Sequence, residues 1–143
     1  MDFPRLKIGL TGVVQKTIEK EDTALAIGSG ALKTLLATPA LVAMMIEASV
    51  KAVDPLLLEG FITVGKAIDI THEKPTCQGM TVTVKSVLKA IDGNTLTFEL
   101  TAYDEVGIIG KGYHERHIVS QKGILQKAEE RRKLLESGMA KAL

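Results

Sequence analysis

The chain has 143 residues, of which 45% are hydrophobic and 24% are charged, and its formal net charge is +1. These values are typical of one globular domain and exclude a largely disordered chain. The small net charge, with only three Phe, two Tyr and no Trp, disfavours a nucleic-acid surface, and no apolar run approaches the ~20 residues of a membrane span.

We therefore expect a single domain over residues 1–143 that binds neither nucleic acid nor membrane. Cys77 is the only cysteine, so the chain cannot form an internal disulfide, which fits a reducing cytoplasm. A packing or loop role is the favoured interpretation of this thiol, ahead of a nucleophile.

The first strand is predicted within residues 7–20, where apolar and polar residues alternate loosely. Glycine and serine then punctuate a loop that begins at residue 26. The clearest helix runs from Thr38 to Val53, because Thr38 is a good N-cap, Pro39 suits the first helical position and Asp54-Pro55 ends the helix. Residues 40–46 are apolar on every side of this helix, which predicts that most of it is buried.

Four strand-like stretches follow, at residues 60–72, 80–91, 94–105 and 108–120, and they are expected to form an antiparallel meander. The sequence Asp92-Gly93-Asn94 predicts a hairpin between the second and third of them. A charged helix over about residues 121–137 closes the chain. Strands that are segregated from helices indicate an α+β fold, in which a curved antiparallel sheet wraps around the long central helix.

Three residues in these elements could carry chemistry, and each also has a plain structural interpretation. Glu47 follows the apolar run, so its carboxylate is either buried and functional or solvated beside Lys51, four residues on. His72 ends a strand, where it is either a general acid or base or an ordinary exposed histidine. The Thr38 hydroxyl either caps the helix or holds water or a carbonyl group there.

The sequence contains no pattern of metal ligands, and no metal or cofactor is expected. Its histidines are His72, His114 and His117, and the last two lie on opposite faces of a strand by parity. It also lacks a Gly-X-Ser-X-Gly elbow and a Cys-X-X-Cys motif.

Three segments together resemble the hot-dog-fold thioesterases of the fluoroacetyl-CoA thioesterase type: GSGALKTLLATPALVAMMIEAS, TVGKAIDITHEKPTCQGMTVTV and GKGYHERHIV. The resemblance covers about residues 10–120. It implies a hot-dog fold, a homodimer, and metal-independent hydrolysis of a small acyl-CoA thioester in the cytoplasm.

The resemblance also implies a site. The threonine at the start of the family's central helix, the glutamate further along it and the histidine at a strand end fall on Thr38, Glu47 and His72. The family's glycine that binds the thioester carbonyl falls on Gly65, and Arg116 matches a basic position in the last strand that is assigned to substrate binding.

One position departs from the family pattern. The family's glutamate follows its threonine by eight residues, whereas here the eighth residue is Ile46 and Glu47 is the ninth. One helical step rotates a side chain by about 100°. An acyl-CoA thioesterase is the leading interpretation; a module that binds acyl-CoA or an acyl thioester without hydrolysis, and a partner-binding domain whose helix is simply core, are the alternatives.

Overall fold

The computed structural model describes residues 2–138, and the elements follow one another in the predicted order. The strands are β1 (Thr11–Thr17), β2 (Phe61–His72), β3 (Thr81–Asp92), β4 (Thr95–Tyr103) and β5 (Ile108–Ser120). The α-helices are α1 (Thr38–Val53) and α2 (Gln121–Glu136), and short 3-10 turns lie at Lys20–Asp22, Gly30–Leu32 and Asp54–Leu56.

Helix α1 fills the concave side of a single five-stranded antiparallel sheet, and its predicted bounds are confirmed. Leu41, Met45 and Val53 on the helix are fully buried, as is Phe98 on β4. Each such side chain contributes roughly 1.5–3 kcal/mol by leaving water. The α+β class and the curled sheet around one helix are therefore confirmed.

The order of strands in the sheet is β1-β3-β4-β5-β2, so the predicted meander is wrong at one connection. Tight turns join β3 to β4 at Gly93-Asn94 and β4 to β5 at residues 104–107, and these turns force the joined strands to be neighbours. Residues 73–80, between β2 and β3, are long enough to cross over. As a result β2 pairs with β5 at the far edge of the sheet.

Strand β1 is shorter than predicted, and it lies against α1 at a point of unusually close backbone approach. A Cβ atom placed on Gly12 would lie 1.9 Å from the Ala48 carbonyl oxygen and 2.8 Å from the Ala52 nitrogen. Only a glycine fits at this crossing of strand and helix.

Two surfaces of this core lack a cover from the described part of the chain. The outer edge of β2 pairs with no other strand among residues 2–138. On α1, Val42, Ile46 and Val50 are only half-buried and Ala43 is exposed, although they belong to the apolar helix. An open strand edge and a bare apolar helix face are both features that proteins usually cover.

Helix α2 begins after Ser120, whose hydroxyl accepts a hydrogen bond from the Gly123 amide at 3.1 Å. The predicted range is close to the observed one, and the helix buries none of its residues. Among the described helices, none is long and apolar enough to cross a lipid bilayer.

The close approach at Gly12 gives a stability prediction. Gly12→Ala should lower the free energy of unfolding by about 2–3 kcal/mol, because backbone atoms of α1 cannot move aside for a methyl group. Urea denaturation would measure it. Gly30→Ala is the matched control, since nothing lies within 4 Å of its added Cβ, and it should be nearly neutral; equal stability of both variants would contradict the assigned packing.

Candidate active site

The site is built where the start of α1 meets the end of β2. Two stretches of chain are tied together there: the Leu36 amide donates to the Thr76 carbonyl at 2.8 Å, and the Gln78 amide donates to the Thr34 carbonyl at 3.0 Å. These bonds join the segment before α1 to the segment after β2. They bring Thr38 beside His72, although 34 positions separate the two in the sequence.

Thr38 and His72 form a direct hydrogen bond, with 2.7 Å between the Thr38 Oγ1 and the His72 Nδ1. The predicted capping role of Thr38 is wrong, because Ala37 occupies the N-cap position and Thr38 is the first helical residue. Its side chain therefore makes no cap bond to the helix amides. The hydroxyl is left free to contact the histidine, which favours the chemical interpretation of Thr38 over the structural one.

His72 is held in place from the strand side by a glycine. It pairs with Gly110 on β5, and a Cβ atom at Gly110 would lie 2.5 Å from the Thr71 carbonyl oxygen. The second ring nitrogen of His72, Nε2, is buried and has no hydrogen-bond partner within residues 2–138. A buried nitrogen without a partner is costly, and at a functional site it is a candidate for contact with substrate or water.

Burial lowers the pKa of His72 below its ordinary value of 6.5, and the backbone of Lys74 only partly opposes this shift. The ring is therefore neutral at pH 7, so one of its nitrogens has a free lone pair. A neutral histidine next to a hydroxyl is suited to accept a proton from that hydroxyl or from water.

A cavity of about 260 Å³ opens beside this pair. Its walls combine leucine and proline side chains with two charged residues and the Thr38–His72 contact. The lining residues are Leu32, Leu35, Leu36, Thr38, His72, Glu73, Lys74 and Pro75. An apolar cavity with a few polar groups at one end is the usual form of a small-molecule site.

A buried carboxylate fixes the loop that forms one wall of the cavity. Asp104 accepts hydrogen bonds from the Thr76 hydroxyl at 2.8 Å and from the Val106 and Gly107 amides at 2.8 and 3.3 Å. Burial alone would raise the pKa of Asp104, but these bonds together lower it below its ordinary value. The charged carboxylate thus ties the loop after His72 to the β4–β5 turn.

Glu47 does not join Thr38 and His72 within one chain. Nine residues of α-helix separate it from Thr38, which is about 13.5 Å along the axis. Its side chain is exposed and forms no hydrogen bond or ion pair with any residue that the structure describes. The expected pair with Lys51 is also not formed, because the Lys51 Nζ donates to the Val13 carbonyl at 3.1 Å instead. Ile46 is half-buried and lies about 12 Å from Thr38 along the axis.

Gly65 is likewise distant from His72 in the same chain. Both lie on β2, seven residues apart, which in an extended strand is about 23 Å. Gly65 pairs instead with Arg116 on β5 and is exposed.

Arg116 lies inside the protein rather than on its surface, with 6% of its area exposed. Burial lowers its pKa, and the charge of Asp54 opposes this. Its guanidinium contacts Thr63 and His114. From the sequence alone, His114 is treated only as a candidate metal ligand beside His117. Its contact with Arg116 could have been predicted, because residues two apart on a strand lie on the same face.

No metal site follows from this arrangement. Within residues 2–138, no three side chains among His, Cys, Asp and Glu are close enough to hold a metal ion. Cys77 is exposed and free.

Residues 18–122 match the model of a protein family described as fluoroacetyl-CoA-specific thioesterase. The chain belongs to this family. The predicted resemblance is thereby confirmed, over more than half of the sequence.

Individual relatives agree with this assignment. The chain is 39% identical over 85 residues to the fluoroacetyl-CoA thioesterase of Streptantibioticus cattleyicolor; this match spans 59% of the chain and 61% of that protein, so it covers less than two thirds of the relative's length. A solved structure of FlK, a threonine-to-serine mutant in complex with acetyl-CoA, superimposes with a TM-score of 0.84 at 27% identity, covering 88% of this chain and 98% of that one. A hot-dog-like protein from Thermanaerovibrio acidaminovorans gives a TM-score of 0.83 at 27% identity, covering 92% and 97% of the two chains.

Acid should weaken the fold through two histidines, of which His114 is buried and His72 is half-buried. Burial lowers the pKa of His72 and, with the nearby Arg116 charge, of His114, although the Ala67 carbonyl opposes the shift in His114. Below pH 6.5 the unfolded chain therefore binds protons that the folded chain does not, and the free energy of unfolding falls as the pH drops from 6.5 towards 5. Urea unfolding at pH 7.5, 6.5 and 5.5 would measure this, and a smaller pH dependence is expected for His114→Asn. An unfolding midpoint that is constant or rises towards pH 5.5 would contradict the assigned burial.

Proposed function

We propose that this protein is an acyl-CoA thioesterase that hydrolyses a small acyl-CoA thioester. The observation that carries the proposal is the 2.7 Å contact between Thr38 and His72 at the wall of an apolar cavity. Membership of the thioesterase family supports the reaction class. The exposed single thiol of Cys77 fits a reducing compartment, and we place the activity in the cytoplasm.

The two tautomers of His72 correspond to two routes for the reaction. If Nδ1 accepts the Thr38 proton, the threonine oxygen attacks the thioester carbonyl, the proton passes to the departing CoA thiolate, and water then hydrolyses the acyl-threonine. If Nδ1–H instead donates to Thr38, the Nε2 lone pair removes a proton from water and the resulting hydroxide attacks the thioester carbonyl. The C–S bond then breaks, and the Nε2 proton passes to the departing CoA thiolate. Both routes yield the carboxylic acid and free CoA without a metal ion or cofactor.

Single substitutions test the two side chains. His72→Ala should reduce kcat by about 10²–10⁴-fold and Thr38→Val by about 10²-fold, because each removes a proton-transfer partner. Thr38→Ser keeps the hydroxyl and should retain most activity. Release of free thiol from acetyl-, butyryl- and hexanoyl-CoA measures the rates, with circular dichroism as the check on folding.

Cys77→Ser is the matched control and should hydrolyse at the wild-type rate, since its thiol has no role in either route. Wild-type activity in His72→Ala would contradict both routes, because each needs the His72 ring. Tight binding of acyl-CoA by the wild-type protein without thiol release would favour the non-hydrolytic module instead. A purely structural domain would be favoured by an exposed Glu47 together with the lack of a cavity at His72. Glu47 is exposed, but a cavity does reach His72.

We further propose that the working unit is a homodimer whose site uses residues of both chains. Gly65 and His72 of one chain are about 23 Å apart along β2, so they cannot touch the same thioester carbonyl. If two β2 strands pair antiparallel about a two-fold axis between Ile68 and Asp69, Gly65 of one chain faces His72 of the other. The open edge of β2 supports such pairing.

The bare face of α1 supports the same arrangement. Ala43, small and exposed, lies almost midway between Thr38 and Glu47, and the half-buried Val42 and Ile46 flank it. Two α1 helices that cross in antiparallel directions at Ala43 would bring Glu47 of one chain near Thr38 of the other. Glu47 would then orient water or His72 from across the interface. The distance from Thr38 to Glu47 along one helix would no longer decide whether Glu47 reaches the site, because the two residues come from different chains.

Mixed dimers test this shared site. A heterodimer of one His72→Ala chain and one Glu47→Gln chain contains one intact site, and it should recover about half of the wild-type activity per dimer. A heterodimer of His72→Ala and Thr38→Val is the matched control and should stay inactive, because Thr38 and His72 belong to the same chain's half of the site. The heterodimers are isolated with two different affinity tags.

If both single variants are inactive as homodimers and neither heterodimer recovers activity, the site is contained in one chain. A monomeric mass for the active protein by light scattering would overturn the homodimer directly.

A further inference from the structure

Two side chains of β5 reach across to the backbone of β2 on either side of Gly65. The Arg116 Nη2 donates to the Thr63 carbonyl at 2.9 Å, and the His114 Nδ1 lies 2.8 Å from the Ala67 carbonyl oxygen. The two carbonyls belong to residues two positions before and two positions after Gly65. Arg116 and His114 thus hold the strand at both ends of a five-residue stretch.

The protonation state of His114 follows from its partners. A carbonyl oxygen can only accept a hydrogen bond, so Nδ1 carries the hydrogen. A guanidinium group can only donate, so Nε2, which lies 3.1 Å from the Arg116 Nη1, must offer its lone pair. His114 is therefore the neutral Nδ1–H tautomer, and the chain from Arg116 through His114 to Ala67 has a fixed direction.

Asp54, at the end of α1, anchors the other side of Arg116. The Arg116 Nε donates to the Thr63 hydroxyl at 2.8 Å, and that hydroxyl donates in turn to the Asp54 Oδ1 at 2.6 Å. The Thr63 amide also donates to the Asp54 Oδ2 at 3.2 Å. A buried guanidinium needs a counter-charge and hydrogen-bond partners. Here the counter-charge is the Asp54 carboxylate, and the Thr63 hydroxyl links it to Arg116 by hydrogen bonds.

The stretch held in this way is irregular. The β2–β5 register shifts between Gly65 and Ala67, which leaves Lys66 as the extra residue of a bulge. Bulges change the direction in which the backbone points its groups. Gly65 lies directly over the two β5 side chains: a Cβ atom there would lie 3.5 Å from the Arg116 Nη1 and 3.6 Å from the His114 Cε1.

We propose that Arg116 and His114 are positioning residues that fix the bulged backbone of β2, and with it the Gly65 amide that takes the thioester carbonyl. The proposal rests on the role of Gly65 in the proposed function. All three guanidinium nitrogens of Arg116 already have protein partners. These bonds use three of the five N–H groups of the guanidinium, so Arg116 holds the strand around Gly65 while one N–H on each of Nη1 and Nη2 remains for the substrate contact that the family resemblance implies.

His114 offers a graded test, because its substitutions remove the two hydrogen bonds separately. His114→Phe keeps a ring of similar size but loses both bonds. The amide nitrogen of His114→Asn can replace Nδ1 and keep the bond to Ala67. An amide that donates to the thioester carbonyl stabilises the transition state more than the bound substrate. Misplacing the Gly65 amide should therefore change kcat more than KM, and comparing the two is the informative readout.

For the dimer with butyryl-CoA, His114→Phe should lower kcat about 10–100-fold, as is typical when a supporting residue of a site is lost. The Kd of butyl-CoA, a thioether that has no carbonyl group for Gly65 to bind, should change less than about threefold. KM for butyryl-CoA should change as little, because the Gly65 amide acts mainly on the transition state. His114→Asn should recover most of kcat. In hydrogen exchange, the Gly65 and Lys66 amides should lose protection in His114→Phe and regain it in His114→Asn.

An unchanged kcat in His114→Phe, with His72→Ala inactive, would overturn the positioning role while leaving the thioesterase proposal intact. A normal kcat in His114→Phe, together with a raised KM and a weakened Kd for butyl-CoA in Arg116→Met, would leave substrate binding as the only role of Arg116, which also overturns the proposal. If the wild-type protein released no thiol from acyl-CoA, the thioesterase assignment would fail, and the exchange of the Gly65 and Lys66 amides would still report whether Arg116 and His114 hold the β2 backbone. If His114→Phe does not fold, His114→Gln, which cannot reach Ala67 as Nδ1 does, takes its place with the same readouts.

Discussion

The extended geometry of β2 constrains everything that the site can do. An extended strand advances about 3.3 Å per residue, so the seven positions from Gly65 to His72 cover about 23 Å whatever the side chains are. The two residues that the family resemblance assigns to one thioester therefore lie at opposite ends of a single strand. The same strand has an open edge, and the shared site that we propose uses that edge to bring the two ends together across a two-fold axis.

At the His72 end of β2, the position of the helix start leaves the Thr38 hydroxyl free of a capping bond. Helix α1 begins after Ala37, one residue earlier than the capping rule suggests, and the Thr38 side chain is directed to His72 instead of to the helix amides. The segments on either side of this contact are tied to each other by backbone bonds, and Asp104 ties one of them to the β4–β5 turn. The 2.7 Å contact is thus supported by several bonds that involve neither Thr38 nor His72.

At the Gly65 end of β2, the backbone is held by a network of buried polar side chains. Arg116, His114 and Thr63 are all buried, and each is satisfied by a partner in the network that ends at Asp54. Such a network is costly to desolvate, and an apolar core would be at least as stable. Its geometry suits the task of holding a bulged backbone in one orientation, which apolar packing does less specifically.

The sequence by itself determined the elements and the reaction class. Period-two alternation set the strands, Thr38-Pro39 and Asp54-Pro55 bounded α1, and the three family segments identified Thr38, Glu47, His72, Gly65 and Arg116 as the candidate residues. These features are local, because each depends on residues that are close along the chain.

Only the tertiary structure decided how those residues meet. It placed β2 beside β5, paired Thr38 with His72, and buried Arg116 with His114. It also left Glu47 outside the Thr38–His72 contact of its own chain. These outcomes depend on contacts between residues that are dozens of positions apart, and neither alternation nor capping carries information about such contacts.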